Sequence, residues 1–388
     1  MTRQFSLDAW GVESYELSTT AAADLQATGL VRAELDPTPG NYRLRAGSRV
    51  GVAAGPDWEL RVDSHLDVRN LMFLLCYARD PSGWKGALAT FADSEDLLSS
   101  TAWGFAAAAE RALRCGLLRG YRRLEERSPV LRGRLRVEAQ MAGGGLPMPL
   151  DVVRDEYDID THENRMILAA AQLLRRLPLT RPLARKRLRR LVSKLDGVTQ
   201  VSDHRKLRIP AITRLNQHYQ PVLVLSDVVL RGMSLRADPG RSRSVTFSFE
   251  LHRVFEHFLA AALTASLGRR GARLSEQVTG RTLDREGTLS LRPDLVVWKG
   301  DRCHAVIDAK FKRLDQDLGG DAYQLLAYLL EFGPPRGFLV SAQGEASEHA
   351  IRAVAKQLSV RPVNLDQEPE AVLRATDALA TELLALGR

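Results

Sequence analysis

Three cysteines in 388 residues, Cys76, Cys115 and Cys303, are too few and too far apart for a disulfide framework or a CxxC metal clip. That shortage suits a reducing compartment, and a cytoplasmic location is the expectation. Long apolar runs are missing too. No stretch approaches the ~20 apolar residues that span a bilayer, and Met1-Thr-Arg-Gln-Phe-Ser offers no apolar signal core. Neither secretion nor membrane insertion is expected. Several chemical signatures are also absent. Without a G-x-x-x-x-G-K-[ST] phosphate loop the chain has no means of powering translocation itself. Without a G-x-S-x-G elbow a Ser-His-Asp hydrolase is unsupported. Zinc-finger spacing and RNA-binding aromatic motifs are lacking, so no base-reading module is recognisable. His204, His218 and His257 share no motif with a second ligand and read as structural histidines.

What is present is ordinary for a folded protein: 45% hydrophobic and 26% charged residues. The length exceeds what one hydrophobic core organises, so two or three domains are expected. Lys and Arg total 55 against 47 Asp and Glu, a formal charge of +8 that attracts polyanions. The excess is concentrated between residues 175 and 194, where Arg175, Arg176, Arg181, Arg185, Lys186, Arg187, Arg189, Arg190 and Lys194 have no acid among them. Leu183, Ala184, Leu188 and Leu191 supply a buried stripe there, leaving a cationic face that is either merely solvated or laid along DNA phosphates. Arg185, Lys186, Arg189 and Arg190 are the candidate DNA contacts.

Periodicity gives the organisation. Residues 5–68 alternate in short segments broken by turn sequences such as Pro37-Thr-Pro-Gly-Asn-Tyr, which predicts a β-rich unit. From Asn70 the spacing lengthens: Leu71, Leu74, Leu75 and Ala78 share a helical face, and 97–118 is a second helical stretch. Leu131-Arg-Gly-Arg-Leu-Arg-Val reads as a strand, followed by a break at Gly143-Gly-Gly-Leu-Pro. Helix resumes at Thr161, a fitting N-cap, and runs with interruptions to about Gly232. Beyond about Thr246 the order is helix over 249–267, strands over 288–298 and 304–311, and helix over 322–331. The expected fold is therefore α/β and multidomain. Its parts are a β-rich then helical region at 1–143, a helical connector with the basic stretch at 144–245, and a mixed α/β domain at 246–388.

The chemistry concentrates in that last part. Asp308 and Lys310, within Val306-Ile-Asp308-Ala-Lys310, are two apart on a strand, so both side chains emerge on one face while Ala309 points the other way. Asp294, in Arg292-Pro-Asp294, opens the preceding strand. Phosphodiester hydrolysis needs a divalent cation to neutralise phosphate charge and lower the pKa of an attacking water. Asp294 and Asp308 are the hard oxygen ligands that Mg²⁺, or Mn²⁺ in its place, prefers. Lys310 beside the metal would orient or help deprotonate the nucleophilic water and stabilise developing charge.

A Pro-Asp followed 14 residues later by Asp-x-Lys at the end of an apolar strand resembles the PD-(D/E)XK nuclease signature. Glu256, on the preceding helix, stands where such nucleases often carry an acid that completes the metal site. Gln324-Leu-Leu-Ala-Tyr328 resembles the Gln-xxx-Tyr motif of one branch of these nucleases, implying that Gln324 supports the active site and that Tyr328 contacts DNA. Two upstream segments, Asp158-Ile-Asp-Thr-His-Glu-Asn-Arg165 and Thr213-Arg-Leu-Asn-Gln-His-Tyr, are similar to landmarks of McrC, the nuclease subunit of the modified-cytosine-dependent McrBC restriction systems. With Leu131-Arg-Gly-Arg, the Arg292-Pro-Asp strand and Asp308-Ala-Lys-Phe-Lys312 the resemblance covers about the last two-thirds of the chain. His162 departs from it, standing where the pattern more often has Pro. The resemblance implies a restriction-endonuclease-like domain at 246–388 and a magnesium-dependent endodeoxyribonuclease acting on DNA, modified DNA in particular. It also implies a partner, a ring-shaped hexameric AAA+ GTPase resembling McrB, which residues 1–143 would dock on and stimulate. Two other readings are a free-standing nuclease of the same superfamily, in repair or a mobile element, and a non-catalytic McrC-like adaptor; intact Asp294, Asp308 and Lys310 weigh against the latter.

Overall fold

The computed structural model describes residues 2–91, 97–142, 148–177, 182–236, 244–314 and 318–385. It is a mixed α/β protein with several sheets. The chain divides into two compact units, one formed by Met1–Ser100 together with Gly232–Arg388 and the other by Thr101–Arg231. The sequence boundaries at 143/144 and 245/246 do not follow that division, and the Gly143-Gly-Gly-Leu-Pro break lies outside the described residues.

The reason is long-range strand pairing, which local periodicity does not register. The β-rich character expected for the first 68 residues is present, but its strands are not self-contained. In a five-stranded sheet, Arg3–Asp8 pairs in parallel with Trp58–Asp63, followed by Arg49–Ala54, Ser244–Glu250 and Met233–Arg236. The strand Ser244–Glu250 thus pairs antiparallel with Arg49–Ala54, with Phe247 opposite Val52. Gly51, at φ +141, makes the join possible: a Cβ there would lie 2.1 Å from the Phe247 carbonyl oxygen. The helix Val68–Arg79, buried on nearly every side and capped by Asp67, packs its Phe73 and Tyr77 rings edge-on against Phe258. Phe258 belongs to the helix Leu251–Gly268, whose apolar stripe at Leu251, Val254, Phe255, Phe258, Leu259 and Leu263 is buried.

A six-stranded mixed sheet completes this unit, in the order Arg273–Glu276, Leu295–Lys299, Arg302–Leu314, Arg336–Gly344, Gln357–Pro362, Ser347–Ala350. The long strand Arg302–Leu314 is antiparallel to Leu295–Lys299 and parallel to Arg336–Gly344. The helix Gly319–Phe332 crosses between those parallel strands and buries Leu325, Tyr328 and Leu329 against Val296, Val306 and Leu339. Covered on both sides, the middle strands read as apolar runs, which is why 304–311 is legible as a strand.

The unit Thr101–Arg231 contains the helices His162–Arg176, Pro182–Lys194 and Gln220–Gly232. It also contains a three-stranded sheet of Gly120–Ser128, Leu150–Asp158 and Arg134–Leu135 that periodicity does not reveal. Its two long strands carry charges where apolar residues would alternate, and they are tied by pairs such as Arg154 Nε donating to Glu126 Oε1 at 2.9 Å. The strand expected over 131–137 is only Arg134–Leu135, because Val137–Ala142 turns helical.

The two landmark segments of this unit are in contact. Thr161 caps its helix as expected, accepting from the Asn164 amide. Asn164 donates to the carbonyls of Leu118 and Ile159, and Glu163 accepts from Asn216, whose own carbonyl oxygen accepts from the Thr213 amide. Asp160, almost fully buried, accepts both guanidinium nitrogens of Arg165 at 2.7 and 2.6 Å and both the amide and hydroxyl of Thr199. The Arg165 guanidinium, with desolvation opposing, holds the Asp160 carboxyl far below the usual carboxylate range. Replacing Asp160 with Asn leaves Arg165 without its charge partner and is expected to cost about 2–4 kcal/mol at neutral pH. Because the folded pKa is depressed, the contribution is complete above pH ~4 and is lost as pH falls toward the folded value. Thermal unfolding of both proteins between pH 3 and 7 checks it: a gap of constant size would overturn the assignment.

Candidate functional site

Strand alternation places Asp308 and Lys310 on the face of the six-stranded sheet that Gly319–Phe332 covers. Ile307 and Ala309 point to the opposite, apolar side, and their burial fixes the register of the strand. Asp308 is only 2% exposed. Lys310 Nζ lies 2.8 Å from Asp308 Oδ2, 3.3 Å from Asp321 Oδ1 and 3.3 Å from Gln324 Oε1. Asp294 is anchored from the side, its Oδ2 accepting the Ala309 amide at 2.8 Å while its carbonyl accepts the Gln277 amide. Across the strand pair the side chain of one acid thus holds the backbone between the other acid and the lysine.

Electrostatics follow from this crowding. Burial, reinforced by Asp294 and only partly offset by Lys310, pushes the Asp308 carboxyl up to about 6. Glu256, half-buried on the helix Leu251–Gly268, is pushed up to about 7 by burial and then by Asp294 and Asp308, with Arg253 opposing. Burial also raises Asp294, against the Ala309 amide and Lys310. Burial would depress Lys310, but Asp308 and Asp321 outweigh it and the group stays a firm ammonium. These responses tie Glu256 to the same electrostatic site as the strand carboxylates.

The donor set suits a hard divalent cation. Three desolvated carboxylates repel one another, and Asp308 Oδ2 accepts no hydrogen bond in proper alignment although the ammonium is nearby. Among the described residues no three His, Cys, Asp or Glu side chains are closed into a ready coordination shell. Mg²⁺ takes only one or two carboxylates and keeps several waters, so Asp294 and Asp308 are the residues that could hold it.

Asp294, Asp308, Lys310 and Gln324 are thus brought together, while Glu256 joins them only through the charge of Asp294 and Asp308 that it feels. Tyr328 needs correction. Its ring is 4% exposed and its hydroxyl donates to the Arg292 carbonyl at 3.1 Å, so it supports the turn leading into Asp294 instead of facing DNA. Sequence reasoning misses Asp321, which grips Lys310 and, at 2.6 Å, Lys312. Its signal is an acid in the first turn of a helix, three residues before Gln324, where the helix dipole favours negative charge.

The basic stretch belongs to the other unit, on Pro182–Lys194; Ala184, Leu188 and Leu191 are buried as expected, but Leu183, read as part of the same stripe, is 57% exposed because its place one residue before Ala184 turns it off that face. Arg187 is not available to phosphates: it forms a double hydrogen bond with Glu110 and stacks over Trp103 at 4.3 Å. Lys194 is turned to the Leu113 carbonyl. Lys186, Arg189 and Arg190 are exposed and Arg185 is half-buried, whereas Arg181 lies outside the described residues.

Comparison with known proteins bears on this arrangement. The family model for McrBC 5-methylcytosine restriction system components matches residues 44–341. No curated protein matches. A chain of the refined half-complex from the tetradecameric assembly of Thermococcus gammatolerans McrB AAA+ hexamers with bound McrC is 17% identical, with 97% of this chain and 100% of that chain covered and a TM-score of 0.59. A chain of the Thermococcus gammatolerans McrBC complex is 19% identical over 72% of this chain and 90% of its own, at a TM-score of 0.42. Protein VC1899 from Vibrio cholerae is 16% identical over 46% and 47%, at 0.28. The first of these shows a shared fold; the other two are too distant for structural argument. The family match runs from the N-terminal sheet through Glu256, Asp294, Asp308, Lys310, Gln324 and Asp321, and the chain belongs to the family of McrBC 5-methylcytosine restriction system components.

Proposed function

We propose that this chain is the metal-dependent DNA endonuclease subunit of an McrBC-like restriction system, its site one of PD-(D/E)XK type. The observation that carries the reading is the Asp308–Lys310 pair, with Asp308 buried beside Asp294, at the crossing between parallel strands. A fold with nothing to catalyse gains little from such a cluster, since each buried acid costs stability unless a cation compensates it.

In this reading Asp294, Asp308 and Glu256 hold Mg²⁺ or Mn²⁺, which supplies Lewis-acid stabilisation of the phosphate and a more acidic water. Lys310, firmly protonated, acts as an electrostatic stabiliser and orienting donor near the scissile phosphate. It is not the base. Gln324 and Asp321 fix its ammonium from the helix Gly319–Phe332, and Tyr328 fixes the strand entry through Arg292. The cations of Pro182–Lys194 give a sequence-independent hold on DNA backbone. The 388 residues carry no phosphate loop, and in this reading the motor is a hexameric AAA+ GTPase resembling the McrB of the Thermococcus assembly. This chain docks on that ring, stimulates its GTP hydrolysis and cuts, and DNA recognition falls to the partner.

Cleavage of methylated plasmid by the full chain, with its AAA+ partner, GTP and Mg²⁺, is the direct test. Asp308→Asn is expected to reduce cutting by more than ~100-fold, since even outer partners of metal ligands are worth about 10–100-fold. Cutting at the parent rate by that variant removes the assignment.

Stability against pH gives an independent check without catalysis. Asp308 and Glu256 have folded values raised to about 6 and about 7, so the metal-free fold binds extra protons and its stability falls as pH rises from ~4 through those values. Asp308→Asn should flatten this decline and raise the metal-free melting temperature at pH 8. A steeper decline in the variant would contradict the burial argument.

For the basic helix, changing Arg185, Lys186, Arg189 and Arg190 to Gln should weaken binding to every DNA sequence and reduce the salt slope by about 0.9 for each phosphate no longer neutralised. An unaltered slope returns the helix to a solvated role.

A further inference from the structure

A second feature of the larger unit is a cleft of about 370 Å³ lined by Trp10, His65, Leu66, Phe311, Lys312 and Gln343. The parallel strands Arg3–Asp8 and Trp58–Asp63 end side by side, with Asp8 level with Asp63, which delivers Trp10 and His65 to the same sheet end. Their rings are nearly parallel, at 6° with centroids 6.2 Å apart. Trp10 is also parallel, within 16°, to Phe311 at 6.1 Å. Phe311 and Lys312 reach the cleft because the strand that carries Lys310 shifts register between Lys310 and Arg313 against Arg336–Gly344. Irregularities of this kind re-aim side chains beside active sites.

Two observations set Trp10 apart from a core aromatic. Its side chain is 46% exposed, and its backbone lies at φ +61, a left-handed conformation that bulky residues rarely adopt. The tip is pinned there by the Trp10 amide donating to Gly47 and the Gly11 amide to Asp8. Strain of this sort persists where the surroundings enforce it, and it clusters in ligand clamps. What it achieves here is an indole held out in solvent, parallel to two other rings.

We propose that this cleft holds one unpaired nucleobase of the DNA strand engaged at the neighbouring site; the inference rests on the nuclease reading above. Parallel aromatic faces stack any base without reading its edges, so the cleft suits an enzyme with no recognisable base-reading module. Lys312 stands at the rim, and the same Asp321 that holds it also holds Lys310, which links the cleft to the candidate site. A strand whose phosphate lies at Lys310 passes its next residues by Phe311 and Lys312. Stacking one base there would keep the strand taut and single at the point of cutting.

The test uses the full chain in an Asp308→Asn background, so that DNA is bound and not consumed, with a single-stranded oligonucleotide carrying one 2-aminopurine. Stacking should quench the probe on binding. Trp10→Ala should abolish the quench and weaken binding roughly 10-fold, Trp10→Phe should retain most of both, and His65→Ala should give a partial loss. Should Trp10→Ala fail to fold, His65→Ala and Trp10→Phe still decide, because His65 is exposed and Phe preserves the ring. Unchanged affinity and quench in Trp10→Ala and His65→Ala overturn the proposal. So does normal DNA binding combined with lost stimulation of the AAA+ partner, which would make the cleft a protein-docking site. Failure of this inference is separable from failure of the nuclease reading. A parent chain that cuts DNA but shows no Trp10-dependent quench overturns only the base cleft; one that never cuts yet quenches through Trp10 supports the cleft and removes the nuclease.

Discussion

Burying a carboxylate in the middle of a sheet is the constraint from which the rest of the larger unit follows. Asp308 sits almost fully out of solvent, on a strand covered on both faces, and such a group is tolerable only with compensation close by. Lys310 supplies part of it, two residues along on the same face. Asp294 adds to the repulsion yet clamps the Ala309 amide between them, so the two strands move as one piece. The helix Gly319–Phe332 then has a double task. Its apolar side, with Leu325 and Leu329, closes the core over Val306, while Asp321 and Gln324 reach the ammonium from its first turns.

A residual charge imbalance marks the site. Three acids, each pushed toward its neutral form by burial, face one lysine that stays charged. A divalent cation would reverse that imbalance, replacing protons on the carboxylates and turning a cost of folding into a binding site.

The smaller unit is organised on a different principle. Its landmark residues are not catalytic but mutually supporting: Asp160, Glu163, Asn164 and Asn216 satisfy backbone and side-chain groups of segments distant in the chain. A buried polar group has few acceptable partners, which is why these side chains find one another.

Local chemistry was legible in the sequence. Period-2 geometry alone put Asp308 and Lys310 on one face, the apolar run around them announced a strand, and helical spacing aligned Gln324 with Tyr328. Four things were decided only by tertiary structure. The first hundred residues join the C-terminal part because Ser244–Glu250 pairs with Arg49–Ala54, and pairing partners two hundred residues apart leave no local trace. Tyr328 became a buried support instead of a DNA contact because its outward or inward direction depends on the sheet beneath it. Arg187 lost its freedom to Glu110 and Trp103, and the charged strands at Gly120–Ser128 and Leu150–Asp158 formed through cross-strand ion pairs. Sequence spacing fixes which side of its own element a residue occupies, but the environment on that side is made by chain segments that spacing cannot see.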